Sequence, residues 1–483
     1  MNRPFHIHLR KNVLQICLTN KFKEMKKNNS KYLLIFVEML FLIFVFYSCE
    51  DKNESDKQNA NAPVVNKVFL QDASSKVPDR EVTFARLGQT IRLEGENFLG
   101  LTKVLINGRS CYFNPVFMSN KSMIVQINRE IPTIDAAVDV KNTIRLEKGN
   151  QFVLYNFEIR DAAPSITGVS HTMPLAGEWI TIEGSGLIVI SKVVFPGNVE
   201  VRNDIIHSED GKFFKVKVPG GVSGNGGSIF IECANGGVYS PAYFNCKTGL
   251  ILDFDGTGTP VGWTDNAIIA EDFLSEVIGE GNVSQGKYCP LTPNKFLPIG
   301  AGIPRATEVW TTGTGAEVDW RALFTPNLFS EDTPLEKIAF QFDIYVPEYW
   351  NNTGFIGINL VNNFSAVNQW TGEFYNYIPW LAGSEKVPFK TLGWTTVTVP
   401  LNHFYKFSKE QHTFNDILVF KERASYKNFG MFFNNNDFTL KDITKKNADE
   451  SVEFPSSATS VKVFVDNFRL VSLETPVYSD FGE

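Results

Sequence analysis

Two stretches of this 483-residue chain can be laid over each other without a gap, and no other feature limits its fold as tightly. LGQTIRLEGENFLGLTKVLING (Leu87–Gly108) pairs with AGEWITIEGSGLIVISKVVFPG (Ala176–Gly197). Identities fall at Gly88/Gly177, Ile91/Ile180, Glu94/Glu183, Gly95/Gly184, Lys103/Lys192, Val104/Val193 and Gly108/Gly197. Each copy begins with the period-2 alternation of a half-buried strand, Ile-x-Leu or Ile-x-Ile. A Glu-Gly turn follows, then an apolar plug at Phe98 or Leu187, then a second strand closed by a Gly turn. An Ala-Pro pair lies upstream of each copy, at Ala62-Pro63 and Ala163-Pro164. A repeated unit made only of strands and turns predicts tandem β-modules. Abundant Phe, Gly and Pro and the lack of a long helical period extend the all-β expectation to the rest of the chain. At about 150 residues per domain, the length suggests about three.

The N-terminus carries the strongest single signal. Leu33–Tyr47 (LLIFVEMLFLIFVFY) is apolar except for Glu38, is preceded by Lys26, Lys27 and Lys31, and is followed by Ser48-Cys49. It falls short of the ~20 residues a membrane span needs, so it reads as a secretory signal. A cysteine directly behind such a run resembles a bacterial lipoprotein signal, which implies acylation of Cys49. The basic pair after Met25 marks that residue as the expected true start, with residues 1–48 as the signal region. EDKNESDKQNANA (50–62) is polar and charged, and is expected to be a flexible tether. Its acidic start resembles the surface-export signal of outer-membrane lipoproteins in polysaccharide-degrading Gram-negative bacteria. Without residues 1–48 the chain has 38 Lys/Arg against 51 Asp/Glu, a net −13. That balance excludes nucleic acid and anionic membrane as expected partners, leaving the lipid anchor as the only membrane contact. A monomer is expected.

The repeat resembles the immunoglobulin-like IPT/TIG module, whose core stretch runs G-x-x-apolar-x-apolar-x-G-x-x-F. The resemblance implies two β-sandwiches, over 63–162 and 163–247. Neither carries an evident chemical group, since Trp179 alternates with Ile180 and Ile182 onto the outward face; both are expected to be spacers. Residues 248–483 differ: seven of the eight tryptophans lie there. This segment opens with LILDFDG (250–256) and closes with VKVFVDNFRLV (461–471). Such first and last strands resemble the jelly-roll sandwich of many carbohydrate-binding modules. In KIAFQFDIYV (337–346), Ile338, Phe340, Phe342, Ile344 and Val346 share one face and should fill its core. No helix longer than two turns is expected.

The stretch NQWTGEFYNYIPWL (368–381) packs five aromatics among amides and lacks a strand's alternation. Tyr349 and Trp350 likewise sit in a polar loop behind Pro347, and Trp310 and Trp320 flank a Thr/Gly-rich turn. Rings outside a core pattern, with Asn351, Asn352 and Glu373 nearby, suggest a sugar-stacking platform; the blander reading is that they plug gaps between loops. The candidate set is Trp350, Tyr349, Trp320, Trp310, Trp370, Trp380, Tyr377 and Asn351. The chain from Cys49 on resembles the cell-surface glycan-binding lipoproteins encoded beside TonB-dependent sugar transporters and SusD-like partners. In xyloglucan-binding members a Tyr-Trp pair just after a strand and an upstream Trp form the platform. The resemblance implies Tyr349 and Trp350, with Trp320 or Trp310 as the third ring. It further implies a β-linked plant glycan (xyloglucan, β-glucan, xylan or mannan) as ligand, an outer-membrane location facing the exterior, and those transporter components as neighbours.

Two rivals remain at this stage. A glycoside hydrolase needs two carboxylates at defined separation, and Glu308, Glu317, Asp319, Glu348 and Glu373 sit in no motif that forces a pair. A surface adhesion lipoprotein would use aromatic patches for protein contacts, in more apolar company than these rings keep. No cofactor is expected. A structural Ca²⁺ at Asp253 and Asp466 is the weaker alternative to turn-capping aspartates. Cys111, Cys233, Cys246 and Cys289 form no CxxC pair and are expected to be buried thiols, with a Cys233–Cys246 disulfide as the alternative.

Overall fold

The computed structural model describes residues 61–481, apart from 73–76, 78, 262–267, 269–272, 276–284, 293–306, 313–317, 326, 351, 363–373 and 442–450. Two compact units account for them. One takes the residues up to Thr83 with Gln89–Ile127 and Thr143–Phe157; the other takes Phe84–Gly88, Asn128–Asn142 and Glu158 onward. Both are built from antiparallel sheets, apart from a parallel pairing of Phe84–Arg86 with Glu158–Arg160 in the second. The two α-helices among the described residues are Trp320–Phe324 and Phe414–Arg423.

The first unit contains the first repeat. One sheet has the order Arg80–Glu81, Val64–Leu70, Thr90–Glu96, Ser122–Gln126, Phe113–Met118; the other runs Gln151–Asn156, Thr143–Lys148, Lys103–Ile106, Arg109–Cys111. Ile91, Leu93, Val104 and Ile106 point inward and are fully buried around the Phe98 plug. The Glu-Gly pair lies inside a strand in both copies, Thr90–Glu96 and Trp179–Ser185, and not in the turn expected there, and its shared glycine has a steric reason. A Cβ on Gly95 would stand 1.8 Å from the Val64 carbonyl oxygen, beside the bulge between Val65 and Lys67.

The second repeat lies in the second unit and reproduces that arrangement. Its sheets run Ser165–Val169, Trp179–Ser185, Phe213–Lys217, Ile205–His207 and Val199–Val201, Lys192–Phe195, Phe230–Cys233, Gly236–Tyr239. Leu187 replaces Phe98 as the buried plug. A Cβ on Gly184 would stand 1.8 Å from the Ser165 carbonyl oxygen, again beside a bulge, between Ile166 and Gly168.

The larger sandwich of the second unit follows. Its first and last strands meet as expected: Leu250–Leu252 pairs antiparallel with Phe464–Ser472, which pairs with Ile338–Tyr345 and thence with Thr395–Pro400. The facing sheet runs Pro260–Val261, Glu308–Thr311, Gly430–Asn434, Phe355–Asn359, Phe374–Tyr377. Ile338, Phe340, Phe342, Ile344 and Val346 enter the common core with Ile356, Ile358, Met431, Phe433, Phe468 and Leu470. The Phe414–Arg423 helix corrects the expectation of none beyond two turns. A capping box joins Thr413 and Asp416, and Phe414, Ile417, Leu418 and Lys421 bury one face at helical spacing.

The other face of the Ile338–Tyr345 strand is buried too. Ala339 and Val471 join the core cluster of the preceding immunoglobulin-like module. Beside them lies a polar network with no solvent access. Arg469 Nη2 donates to Asp343 Oδ1 at 2.9 Å and to Thr172 Oγ1 at 2.8 Å, and its Nε donates to Gln341 Oε1 at 3.1 Å. The Ser170–Thr172 turn is stitched to the Thr395–Pro400 strand. The Thr396 N–H and the Thr395 hydroxyl both donate to the Ser170 carbonyl, at 2.8 and 2.6 Å, and the Thr172 N–H donates to Thr396 Oγ1 at 2.9 Å. His171 places its two ring nitrogens 3.5 Å from Glu178 and 3.6 Å from Asp343. Burial alone would lower the His171 pKa, but the carboxylates of Asp343 and Glu178 outweigh it and hold it at about 9. Burial would raise the Asp343 pKa, but Arg469 and His171 pull it well below the usual carboxylate range. Each buried polar group here has a partner, the condition under which such groups are tolerated.

Candidate functional site

The loop from Val346 to Gly354 leaves the long central strand at Pro347 and returns as the Phe355–Asn359 strand. A second segment runs beside it. The Thr391 N–H donates to the Val346 carbonyl at 2.9 Å, the Val346 N–H to Thr391 Oγ1 at 2.9 Å, and the Trp350 N–H to the Phe389 carbonyl at 2.9 Å. These bonds place Tyr349 on the surface with 62% of its area exposed, while Trp350, one residue on, keeps 1%. The Lys390 ammonium lies 4.7 Å from the centre of the Tyr349 ring.

Stacking a sugar requires an open ring face, and four of the expected platform tryptophans offer none. Trp310, Trp320, Trp350 and Trp380 are all core residues. The reason differs at each. Trp310 lies flat over Gly430 of the neighbouring strand, where a Cβ would approach its ring to 2.1 Å. Trp320 opens a short helix capped by Asp319 and packs edge-on against Phe324. The Lys421 ammonium sits 4.4 Å above the Trp320 ring. Burial, with repulsion from Lys427, brings the Lys421 pKa down to about 7.

Trp350 and Trp380 act as pins on the loop that carries Tyr349. The Trp350 indole N–H donates to the Thr353 carbonyl at 2.6 Å, and the Trp380 indole N–H to the Gly354 carbonyl at 2.8 Å. Thr353 is held again by its hydroxyl, which donates to Asn435 Oδ1 at 2.7 Å and accepts from the Ser457 N–H at 2.8 Å. Gly354 has φ +71°, and a Cβ there would meet the Phe433 ring at 2.6 Å, so the close turn requires glycine. Tyr377 is half-buried and packs edge-on against Phe342 and Phe389. It braces the Phe389 segment and is poorly placed as an open platform. Trp370 and Asn351 lie outside the described residues. The stretch 368–381 is thus, where described, an edge strand and an anchoring tryptophan. The pinning was invisible in the sequence, because an indole donor names no acceptor until the chain is folded.

Asp253 Oδ1 accepts the N–H groups of Asp255 and Thr257, at 3.0 and 2.8 Å, and so caps its own turn. Asp466 accepts from the backbone and side-chain amides of Asn467. Among the described residues no group of three or more His, Cys, Asp or Glu is placed to hold a metal. Cys111, Cys233, Cys246 and Cys289 are all buried thiols outside any disulfide.

Residues 244–472 match the family model described as the surface glycan-binding protein B xyloglucan binding domain. The match takes in the larger C-terminal sandwich. The Tyr349 loop and its pinning tryptophans all fall within the matched residues. Across 393 residues the chain is 22% identical to an IPT/TIG domain-containing protein from Bacteroides ovatus, spanning 74% of this chain and 76% of the relative. It also superposes on the crystal structure of the surface glycan-binding protein PbSGBP-B from Prevotella bryantii. The TM-score is 0.59 at 18% identity, over 86% of this chain and all of that one. The fold of immunoglobulin-like modules followed by a larger sandwich is therefore shared with that protein.

Proposed function

We propose that this chain is a non-catalytic surface glycan-binding protein that captures xyloglucan or a related β-linked glucan on its C-terminal sandwich. The observation that carries this is the family match over residues 244–472. The exposed Tyr349 ring supports it: most of its surface meets solvent, its loop is fixed by two buried indoles, and Lys390 lies over one part of the ring as a donor for hydroxyl groups. In this reading three modules, 63–162, 163–247 and 248–483, follow the tether, and Cys49 carries the lipid that holds the protein on the outer face of the outer membrane. The glycan is passed to a TonB-dependent transporter and its SusD-like partner. Binding without turnover suits a site in which one ring is the anchor and no carboxylate pair is called on.

Affinity electrophoresis of the chain from Glu50 onward against xyloglucan, mixed-linkage β-glucan and an α-glucan tests the proposal. Retardation by the β-glucans, largely lost in Tyr349→Ala, is the expected result. No retardation by any glycan, or release of reducing ends from the polysaccharide, overturns it.

A further inference from the structure

The Tyr349 loop borders a cleft of about 570 Å³ between the second immunoglobulin-like module and the C-terminal sandwich, within one compact unit. That volume lies within the ~300–1,000 Å³ range of small-ligand sites. One wall is the outward face of the Trp179–Ser185 and Phe213–Lys217 strands, which presents Trp179, Thr181 and Lys215. The opposite wall is the Phe389–Thr395 segment of the sandwich, and Ser170 and His171 form the floor. The hydrogen bonds from Thr395 and Thr396 to Ser170 join floor and wall, so the cleft has a fixed width.

Trp179 is the residue that gives the cleft a chemistry. Its indole is 45% exposed, whereas the neighbouring Ile180 and Ile182 fill the module's core. In the first repeat the same position is Thr90, so an indole is not needed to build this module. Trp394 lines the far wall, and its indole N–H is buried with no acceptor from the protein. Glu178 and Lys215 supply an acceptor and a donor beside the Trp179 ring. An open aromatic face between groups of both charges suits a neutral polyhydroxylated chain better than an anionic one.

One lining residue also connects the cleft to Tyr349. Lys390 lines it and at the same time covers the Tyr349 ring. We propose that the glycan-binding surface continues from Tyr349 past Lys390 into this cleft, where Trp179 of the second immunoglobulin-like module stacks a further sugar of the same extended β-linked chain. The second module is then part of the binding site as well as a spacer. This rests on the glycan-binding reading above and adds to it a length requirement: only a chain reaching beyond Tyr349 gains the Trp179 contact.

Isothermal titration calorimetry of the chain from Glu50 onward tests it, with a single-repeat xyloglucan oligosaccharide and one of several repeats as probes. In the unaltered protein the longer probe binds tighter. Trp179→Ala is expected to weaken the longer probe by about tenfold, equivalent to ~1.4 kcal/mol, and to leave the shorter one unchanged. Tyr349→Ala weakens both. Equal affinity for the two lengths, or a Trp179→Ala variant that holds the longer probe as well as before, overturns the extension while leaving binding at Tyr349 standing. Failure of both probes to bind overturns the glycan-binding reading and the extension together. Trp179 lies on an exposed face, and an unchanged far-ultraviolet spectrum of the variant separates lost contact from lost fold.

Discussion

The two repeats are built alike and used differently. Both hold an apolar plug, Phe98 or Leu187, and a glycine whose missing Cβ admits a carbonyl from the adjoining strand. They part company on their surfaces. The ion pairs of the first repeat's sheet, such as Lys67–Glu81, are exposed. In the second, the turn Ser170–Thr172 is buried against Gln341, Asp343 and Arg469 of the larger sandwich, and its outward strand carries Trp179 in place of Thr90. The same scaffold therefore serves in the second copy as half of a fixed junction with the larger sandwich. The difference is made by a handful of side chains that contribute nothing to the module's own core.

The largest effect should come from breaking the junction. Arg469→Ala strips the guanidinium from the buried Asp343 and leaves His171 as its one remaining cationic partner, and breaking a buried pair in this way costs on the order of 3–5 kcal/mol. Hydrogen–deuterium exchange should then quicken across Ile338–Tyr345 and Phe464–Ser472, while Thr90–Glu96 in the first unit stays protected. Lys67→Ala, the counterpart in the first repeat, should change neither region, because exposed pairs add little. Equal effects from the two variants would erase the distinction between the copies.

Second in size is the dependence on pH. His171 has a folded pKa of about 9 against 6.5 when unfolded. Its contribution is complete below pH 6.5 and is lost as pH rises through 9. Lys421 works in the opposite sense. Its folded pKa is about 7 against 10.5, so the unfolded chain binds more protons between those values and stability rises with pH there. Each effect is on the order of a few kcal/mol over its window, and in the unaltered protein they oppose one another between pH 7 and 9. Denaturant titrations should show stability falling with pH in Lys421→Met and rising in His171→Gln, with the unaltered chain between. A His171→Gln variant whose profile follows the parent would remove the charged histidine from the junction.

These contrasts also mark how far the sequence could be read. The repeat was legible because strand period and the shared glycines are local properties, set by the pleat and by one carbonyl approach, although the Glu-Gly pair proved to lie within a strand beside a bulge and not in a turn. The core face of KIAFQFDIYV was legible for the same reason. Its other face was not: Gln341 and Asp343 have the polarity of a solvent-facing row, and only tertiary packing shows that a second module covers them. The tryptophans were misplaced on similar grounds. Polar neighbours marked Trp350 and Trp380 as loop residues, which fitted an open platform. The folded chain uses those same loops' carbonyls as acceptors for buried indoles, and so leaves Tyr349, the less conspicuous ring, outside. The Phe414–Arg423 helix carried a readable capping box at Thr413 and Asp416, but ten residues inside an all-β pattern are easily passed over.

The smallest expected effect on stability is the sharpest test of the comparison. Trp179→Thr gives the second repeat the residue that the first already carries at Thr90. The strand should form as before, because threonine suits a half-exposed sheet face and the inward Ile180 and Ile182 are untouched. Surface changes of this kind fall within about ±0.5 kcal/mol, so the denaturation midpoint should barely move. A marked loss of stability would mean that the indole packs to hold the cleft closed, making Trp179 part of the junction's structure. An unmoved midpoint would show that the second copy keeps an exposed tryptophan its fold does not need, and would leave the residue available to whatever enters the cleft.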